Sequence, residues 1–372
     1  MARSGDFAAD DPCLRQAARN QKENRGNVKQ AMNEQQIRQA AAVLEQGGLV
    51  AFPTETVYGL GADAENPAAV AKIYQAKGRP SDHPVIVHLA PGADPGYWVN
   101  LMPPIAQTLI DAFWPGPLTL ILPRAAHIPD AVSGGQDTIG LRCPSHPVAQ
   151  ALLHAFNGGR GGVAAPSANK FGQVSPTTHA HVCSEFAMPD GSLDPLIGMV
   201  LDGGQSAVGI ESTILDLSRL DYLGPVLLRP GHISAEELAS HLGSLPLAPD
   251  AHAPRASGTL AAHYAPRTAL AMLATLQLPT TIQALQQAGH QVALLHYSQE
   301  LAGLSAYARQ LPASAHPYAH GLYTSLRQLD HKRATIILVE APPQDSSWHG
   351  VNDRLQRAAH DSVGKLAILL GK

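Results

Sequence analysis

Two cations separated by a single residue are the clearest chemical signal in this sequence. Lys77 and Arg79 flank Gly78 at the end of a predicted helix, in a chain of 372 residues that contains only eight lysines. Lysine offers a phosphate group a point charge, and arginine offers a planar fork that can donate two hydrogen bonds to it. Cations at the end of a helix also complement its dipole. The spacing alone therefore leaves open both an anion site and a helix cap.

Two more polar clusters follow predicted strands, at the edge where open α/β sheets bind ligands. Residues 165–178, APSANKFGQVSPTT, carry hydroxyls, an amide and flexible backbone that suit a nucleotide phosphate or ribose, although a Ser/Asn turn would look the same. In residues 209–216, GIESTILD, Glu211 could position a metal or cap a turn, and Arg229 follows shortly after. His88 ends an apolar strand, where it is either a ligand or a satisfied core residue.

Familiar catalytic motifs are missing from the sequence. It contains no GxxxxGK[ST] phosphate loop and no HExxH zinc motif, and Val208 replaces the last glycine of a GxSxG elbow around Ser206. His179, His181 and Cys183 lie at a predicted helix start, where residues two apart do not share a face. We interpret these three as solvated surface rather than as a metal site.

The elements that must position the polar groups follow from apolar spacing and turn residues. A first helix is predicted between Asn33 and Gln46, and a second begins at Asn66 and Pro67 and ends at Gly78. Further apolar runs predict a helix at residues 147–156 and strands at residues 49–52, 85–89, 118–122, 138–142, 162–166, 199–202, 212–217 and 225–229. This alternation predicts an α/β domain with a twisted mixed sheet.

The length of the chain predicts two domains, at a soft prior of roughly 150 residues per domain. We expect a flexible leader at residues 1–30, a first domain at 31–243, an extended linker at 244–267 and a small α/β domain at 268–372. The last domain has predicted strands at residues 269–273, 291–297, 335–340 and 366–370, a predicted helix at 352–360, and an expected parallel sheet.

Charge and cysteine content narrow the class of protein. The net charge of -4 argues against nonspecific nucleic-acid binding, and no run of about 18 apolar residues predicts a membrane span. The three cysteines form no CxxC pair, which argues against a disulfide framework or a zinc finger and fits a reducing cytoplasm.

Seven segments, taken together and in order, resemble the threonylcarbamoyl-AMP synthase family, the YrdC-like domain in its long two-domain form. The family's KxR and SxN signature is matched by Lys77 with Arg79 and by Ser167 with Asn169. The resemblance covers residues 33–242 and extends weakly to residues 352–359. The segments are AFPTETVYGLGADA at 51–64, KGRPSDHPVIVH at 77–88, FWPGPLTLIL at 113–122, TIGLRCPSHP at 138–147, VAAPSANKFGQVSPTT at 163–178, LDGG with GIESTILD at 201–216, and LLRPG at 227–231.

The resemblance implies a YrdC-like fold with a smaller, Rossmann-like C-terminal α/β domain, and a concave face that holds ATP and threonine side by side. The residues that it implies for ATP are Lys77, Arg79, His83, Thr138, Ser167, Asn169, Ser175 and Arg229, with Lys77 and Arg79 also catalytic. Those that it implies for threonine are Thr54, His88, Arg142, Ala165 and Ser212. Relatives often carry asparagine where this chain has His83.

The resemblance also implies a reaction in the cytoplasm. L-threonine, bicarbonate or CO2, and ATP with Mg2+ would give threonylcarbamoyl-AMP and pyrophosphate, and the product would pass to a tRNA threonylcarbamoyl transferase. A nonenzymatic RNA-binding YrdC-like module is the alternative, and its mark would be a dense stripe of Lys and Arg. Direct tRNA binding and the Mg2+ ligands are left open. We also expect the linker around His263 and Tyr264 to lie over the pocket and the second domain to steady it.

Overall fold

The computed structural model describes residues 34–362 and 364–371. The predicted leader at residues 1–30 lies outside this part of the chain. The first helix, α1, occupies residues 34–45, and its apolar residues Ile37, Ala40, Ala41 and Leu44 are buried as the helical spacing predicts.

A nine-stranded mixed sheet forms the centre of the first domain. Its strands in chain order are β1 (Leu49–Phe52), β2 (Gly59–Asp63), β3 (Ile86–Leu89), β4 (Leu118–Pro123), β5 (Thr138–Arg142), β6 (Gly162–Ala164), β7 (Ile197–Val200), β8 (Thr213–Asp216) and β9 (Val226–Arg229). Their order across the sheet is β7-β1-β2-β6-β3-β5-β4-β8-β9. The pairs β1 with β7, β3 with β5 and β4 with β8 are parallel, and the others are antiparallel. The predicted twisted mixed sheet is confirmed.

Strand β2 was not predicted from the sequence. Its GLGAD sequence lacks β-branched residues, and glycine weakens a strand in general. Gly61 is required by packing, because a Cβ there would lie 2.7 Å from Val163 Cγ1 and 2.8 Å from Phe52 Cε1. The close approach of neighbouring side chains therefore explains why a glycine, which usually weakens a strand, occupies this strand position.

Both faces of the sheet are covered, because alternate residues of each strand point to opposite sides. In β1, Leu49 and Ala51 belong to one apolar cluster, and Val50 and Phe52 belong to another. The helices of this domain after α1 are α2 (Pro67–Lys77), α3 (Pro104–Phe113), α4 (Asp130–Ser133), α5 (Pro147–Ala155), α6 (His179–Glu185) and α7 (Ala235–Leu242).

Helix α2 ends where the cation pair begins, as the sequence predicts. The Asn66 side chain accepts hydrogen bonds from the first backbone N–H groups, and Pro67 occupies the first helical position. Gly78 ends the helix with φ of 63°, a left-handed conformation that glycine adopts without strain. Lys77 and Arg79 therefore lie on either side of a sharp change in chain direction.

The second domain is built on a parallel sheet of four strands. They are β10 (Leu270–Leu273), β11 (Val292–His296), β12 (Tyr307–Gln310) and β13 (Ile336–Glu340), arranged β10-β13-β11-β12. The helices are α8 (Leu278–Gln287), α9 (Ala315–Asp330), α10 (His349–Ala359) and α11 (Lys365–Leu369). The parallel sheet confirms the sequence prediction. None of the described helices combines the length and the apolar character needed to cross a bilayer.

One strand prediction in this domain was wrong. The run LAILL at residues 366–370 was expected to form a strand, but it lies in helix α11 and the turn that follows. Leu366, Leu369 and Leu370 pack against the core from one side, while Ile368 is 70% exposed. A short apolar run does not distinguish the two structures, and here only one side of it has a partner.

The two domains share an apolar core. Val57, Val174 and Ile210 of the first domain belong to one cluster with Tyr318 and Leu322 of helix α9. Helices α9 and α10 are thereby held against the loops that carry the polar clusters of the first domain.

Candidate active site

A narrow cavity of about 30 Å³ lies between the edge of the large sheet and the linker. All five residues expected on the threonine side line it, namely Thr54, His88, Arg142, Ala165 and Ser212. Ser167 and Arg229, expected on the nucleotide side, line it as well. These residues come from six separate stretches of sequence, so the fold brings together side chains that are far apart along the chain.

Lys77 connects the two halves of the KxR and SxN pattern. Its Nζ atom donates to the backbone oxygen of Ser167 at 2.5 Å and to that of Asn169 at 2.5 Å. The side chain is 3% exposed. Burial lowers the pKa of Lys77 well below its usual value, and the nearby charge of Arg79 lowers it further.

Arg79 and Arg229 approach the same part of the linker. Arg79 Nη2 donates to Pro84 O at 2.8 Å and its Nη1 lies 3.5 Å from Ser257 Oγ. Arg229 Nη1 donates to Ser257 O at 2.6 Å, and its Nε and Nη2 atoms donate to the carbonyl and hydroxyl of Ser212, each at 3.0 Å. Ser257 thus occupies the space between two guanidinium groups.

These three cations are buried without a carboxylate partner. Arg79 is 7% exposed and Arg229 is 2% exposed. Neither they nor Lys77 take part in any ion pair of the described residues. Buried charges in proteins are normally paired, so a cluster of one sign is suited to an anionic ligand.

The remaining residues expected on the nucleotide side lie outside the lining of this cavity. Asn169 is buried next to Lys77, with its Oδ1 atom free of a hydrogen-bond partner, and Ser175 Oγ donates to Glu211 at 2.5 Å. Thr138 lines a second cavity of about 10 Å³, and Ser257 lines both this cavity and the first. His83 lies apart, with its half-buried ring 5.5 Å from the ring of Phe171.

Arg142 is oriented by a residue that the sequence did not single out. Glu55 Oε1 accepts a hydrogen bond from Arg142 Nη2 at 2.6 Å, and Glu55 Oε2 accepts one from the backbone of Ser145 at 3.0 Å. Both side chains of this ion pair are buried. The pair leaves Arg142 fixed at the cavity wall, where the N–H donors that Glu55 does not use can meet a carboxylate.

Hydroxyl and imidazole groups complete this half of the cavity. Thr54 Oγ1 lies 2.8 Å from Thr56 Oγ1 and donates to Val57 O at 2.6 Å, and Ser212 Oγ lies 2.8 Å from Thr119 Oγ1. Burial, assisted by the charge of Arg142, lowers the pKa of His88 to about 3. His88 is therefore neutral at neutral pH and acts as a polar wall rather than as a cation.

The linker closes the cavity on one side. Ser257, Gly258, His263 and Tyr264 all line it. Burial, the largest effect, lowers the pKa of His263 to about 3, and its Nδ1 atom is buried without a hydrogen-bond partner. The expected position of His263 and Tyr264 over the pocket agrees with this geometry, whereas Ser257 was not anticipated.

The carboxylate of Glu211 is already fully engaged. One oxygen accepts from Ser175, and the other accepts from Tyr323 and Arg354 at 2.9 Å each. Among the described residues, no group of three or more His, Cys, Asp or Glu side chains is placed to hold a metal ion. Glu211 is therefore held as part of a hydrogen-bonded network.

His179, His181 and Cys183, which the sequence led us to interpret as solvated surface, are half-buried. Cys183 Sγ lies 3.7 Å from the His179 ring, because residues four apart share a helix face.

A larger cleft of about 960 Å³, lined by Tyr97 and Arg160 among others, lies away from the buried cations. Size alone therefore does not identify the site, since the cleft lacks converging buried charges.

Comparisons with known proteins agree with this arrangement. The family model Sua5_yciO_yrdC, described as "Telomere recombination", matches residues 42–231, and the model "Threonylcarbamoyl-AMP synthase, C-terminal domain" matches residues 233–360. A threonylcarbamoyl-AMP synthase of Bacillus subtilis is 40% identical over 344 residues, covering 89% of this chain and 95% of the relative. One from Pyrococcus abyssi is 34% identical, covering 90% and 96%.

A solved structure gives the same result at the level of the fold. The crystal structure of P. abyssi Sua5 complexed with L-threonine aligns with a TM-score of 0.79 at 33% identity, covering 88% of this chain and 95% of that one. The likeness extends over both domains rather than over the first domain alone.

Proposed function

This chain belongs to the Sua5–YciO–YrdC family, and from that premise we propose that it converts ATP, L-threonine and bicarbonate into threonylcarbamoyl-AMP and pyrophosphate. It is then an enzyme of the nucleotidyltransferase class. The observation that carries the proposal is the cluster of three buried, unpaired cations beside a cavity lined by all five residues expected to hold threonine.

The chemistry needs no covalent intermediate with the protein. The threonine amine adds to CO2 formed from bicarbonate and loses a proton, which gives a carbamate. A carbamate oxygen attacks the α-phosphorus of ATP, the bond to the β-phosphate oxygen breaks, and pyrophosphate leaves. Positioning and neutralisation of negative charge are the main requirements of such a transfer.

The buried cations match the second requirement. Lys77, Arg79 and Arg229 are fixed by hydrogen bonds before any ligand arrives, so little reorganisation is needed when charge develops on the phosphates. Mg2+ would be carried by ATP, with phosphate oxygens and water as most of its ligands, and it would neutralise part of the phosphate charge beside these cations.

The other half of the cavity suits the amino acid. Arg142 faces the substrate carboxylate, and the hydroxyls of Thr54 and Ser212 offer partners for the hydroxyl of threonine. Valine would leave such buried partners unsatisfied, and a site of this kind discriminates by roughly 10⁴. The P. abyssi relative was crystallised with L-threonine, which supports the assignment.

The cavity must widen before ATP binds. A space of about 30 Å³ holds about one water molecule, whereas drug-sized ligands occupy roughly 300–1,000 Å³. Ser257 lies between Arg79 and Arg229, so displacement of the linker exposes the cations to phosphate. Closure afterwards would keep water from the reactive anhydride.

A nonenzymatic RNA-binding role lacks support in the described structure. Recognition of RNA by charge requires cations on an accessible surface, but the three cations of this site are at most 7% exposed. We propose that the product goes to a tRNA threonylcarbamoyl transferase in the cytoplasm, because an acyl adenylate is an activated group for transfer.

Pyrophosphate release tests the proposal directly. The assay omits threonine and bicarbonate in turn, replaces threonine with valine, and identifies the product by mass spectrometry. We expect release only with the complete mixture, loss of it in Lys77→Met, and wild-type rates in Lys72→Met, a control on the same helix whose Nζ donates to Gly47 O. Release that does not depend on threonine would overturn the assignment.

A further inference from the structure

Helix α10 of the second domain places one arginine against the candidate active site. Arg354 is fully buried. Its Nε atom donates to Glu211 Oε2 at 2.9 Å, Nη2 donates to Glu211 O at 3.2 Å, and Nη1 donates to Pro230 O at 2.7 Å and to Asp353 Oδ2 at 2.8 Å. One guanidinium group therefore holds two loops of the first domain at once.

The two anchor points of Arg354 in the first domain adjoin the cavity, and Glu211 itself lines it. Glu211 precedes Ser212 and accepts a hydrogen bond from Ser175, and Pro230 follows Arg229. Arg229 in turn donates to the carbonyl and hydroxyl of Ser212. Fixing Glu211 and Pro230 therefore fixes the distance between the two loops from which the Arg229 guanidinium and the Ser212 hydroxyl reach the ligand space.

The charge of Glu211 makes the contact more than packing. Burial alone would raise the pKa of Glu211, but Arg354 and Arg229 outweigh that effect and hold the pKa below its usual value. The carboxylate stays ionised and accepts from Ser175 as well as from Tyr323 of helix α9. Arg354 also lies 5.3 Å from the centre of the Tyr264 ring, which lines the cavity.

We propose that Arg354 is a positioning residue for the reaction, supplied by the second domain. It touches no substrate, but it sets the positions of Ser175, Ser212 and Arg229 through the Glu211 carboxylate and two backbone carbonyls. The inference rests on the proposed function, since it names what the second domain contributes to that same site.

The planar guanidinium is essential to this role. Its three nitrogens meet acceptors in three directions, whereas a lysine ammonium is a point charge that cannot replace a fixed fork. If the ion pair were purely structural, a lysine that keeps the positive charge beside Glu211 would be sufficient, and so would removal of both charges together. The two roles therefore predict different behaviour for conservative variants.

Three variants test the proposal in the full-length protein. Arg354→Lys keeps the charge, the double variant Glu211→Gln with Arg354→Gln removes both charges, and Arg309→Lys changes an exposed arginine of the same domain as a control. Melting temperature, kcat and the KM for each substrate are measured, with rates taken well below the melting temperature. Displacements of about 1 Å away from the chemistry can cost on the order of 10²-fold.

If Arg354 is a positioning residue, Arg354→Lys and the double variant both fold, but kcat falls on the order of 10²-fold in each. The KM for threonine changes little, because Arg142 is oriented separately by Glu55. Arg309→Lys retains the wild-type kcat. If Arg354→Lys or the double variant shows wild-type kcat and only a lower melting temperature, Arg354 is structural and the inference is wrong. If the wild-type protein itself releases no pyrophosphate with threonine, the proposed function fails instead.

Discussion

Acid should destabilise this protein through buried histidines that the fold keeps neutral, and two of them line the candidate active site. His88 lies in the wall of the candidate threonine site and His263 in the linker, and both are buried. Burial lowers the pKa of each to about 3 in the folded protein, from a usual value of 6.5. The unfolded chain therefore binds protons that the folded chain cannot accept, so stability falls as the pH falls below about 6.5.

The size of the effect follows from the two pKa values. Well below the unfolded pKa, each histidine costs about 1.4 kcal/mol per pH unit. Between about pH 7 and pH 5 this amounts to about 1.9 kcal/mol for each residue and about 4 kcal/mol for the pair. The calculated difference is nearly the same for a folded pKa of about 3 or about 4, because both values lie below pH 5, the lower of the two pH values compared. Carboxylates of ordinary pKa titrate mainly below this range.

Urea unfolding, followed by tryptophan fluorescence at the two pH values, measures this difference. His263→Gln should lose about 1.9 kcal/mol of the pH dependence, whereas the exposed His252→Gln should keep all of it. A wild-type unfolding free energy that does not change between the two pH values would refute the reasoning. An unchanged pH dependence in His263→Gln would show that this residue is not the source.

Three further predictions concern the ligands. Binding of ATP should take up protons at alkaline pH, because burial lowers the pKa of Lys77 and a bound phosphate raises it again, and calorimetry in buffers of different ionisation enthalpy should show no uptake in Lys77→Met. Arg142→Gln should raise the KM for threonine by roughly 10- to 150-fold and leave the KM for ATP nearly unchanged, since a charged hydrogen bond contributes about 1.5–3 kcal/mol. Gly258→Ala should abolish pyrophosphate release, because the new Cβ would lie 2.0 Å from Tyr264 Oη and 2.8 Å from Arg229 Nη1, whereas Gly243→Ala has a similar positive φ and open space and should stay active. Buffer-independent heats, equal changes in both KM values, or an active Gly258→Ala would each contradict the corresponding argument.

Local signals in the sequence predicted much of the first domain. The helix from Pro67 to Lys77 has its cap, its first-turn proline and its terminal glycine all between Asn66 and Gly78, so no distant contact was needed to find it. Strands rich in β-branched and leucine residues were found for the same reason. In contrast, strand β2 has two glycines and no local strand signal. It pairs with the strands that contain Phe52 and Val163, whose side chains pack against Gly61, and both residues are distant from Gly61 or outside its own segment of sequence.

The candidate site shows the same division between local and distant information. Lys77 and Arg79 stand out because lysine is rare in this chain, and the threonine-side residues were reached by resemblance to a family. Glu55 is 87 positions from its partner Arg142, and Glu211 is 143 positions from Arg354. Nothing in the spacing of such residues indicates that they meet. Pairings between residues that are far apart in the sequence, within one domain or between two, require the structure.

The position of the nucleotide phosphates is the most direct test of the account. A crystal structure of the protein with ATP, threonine and Mg2+ should show the phosphates within hydrogen-bond distance of Lys77, Arg79 and Arg229, with Ser257 displaced and the threonine carboxylate at Arg142. Phosphates bound elsewhere, for example in the large cleft beside Arg160, with Ser257 still between Arg79 and Arg229, would contradict it.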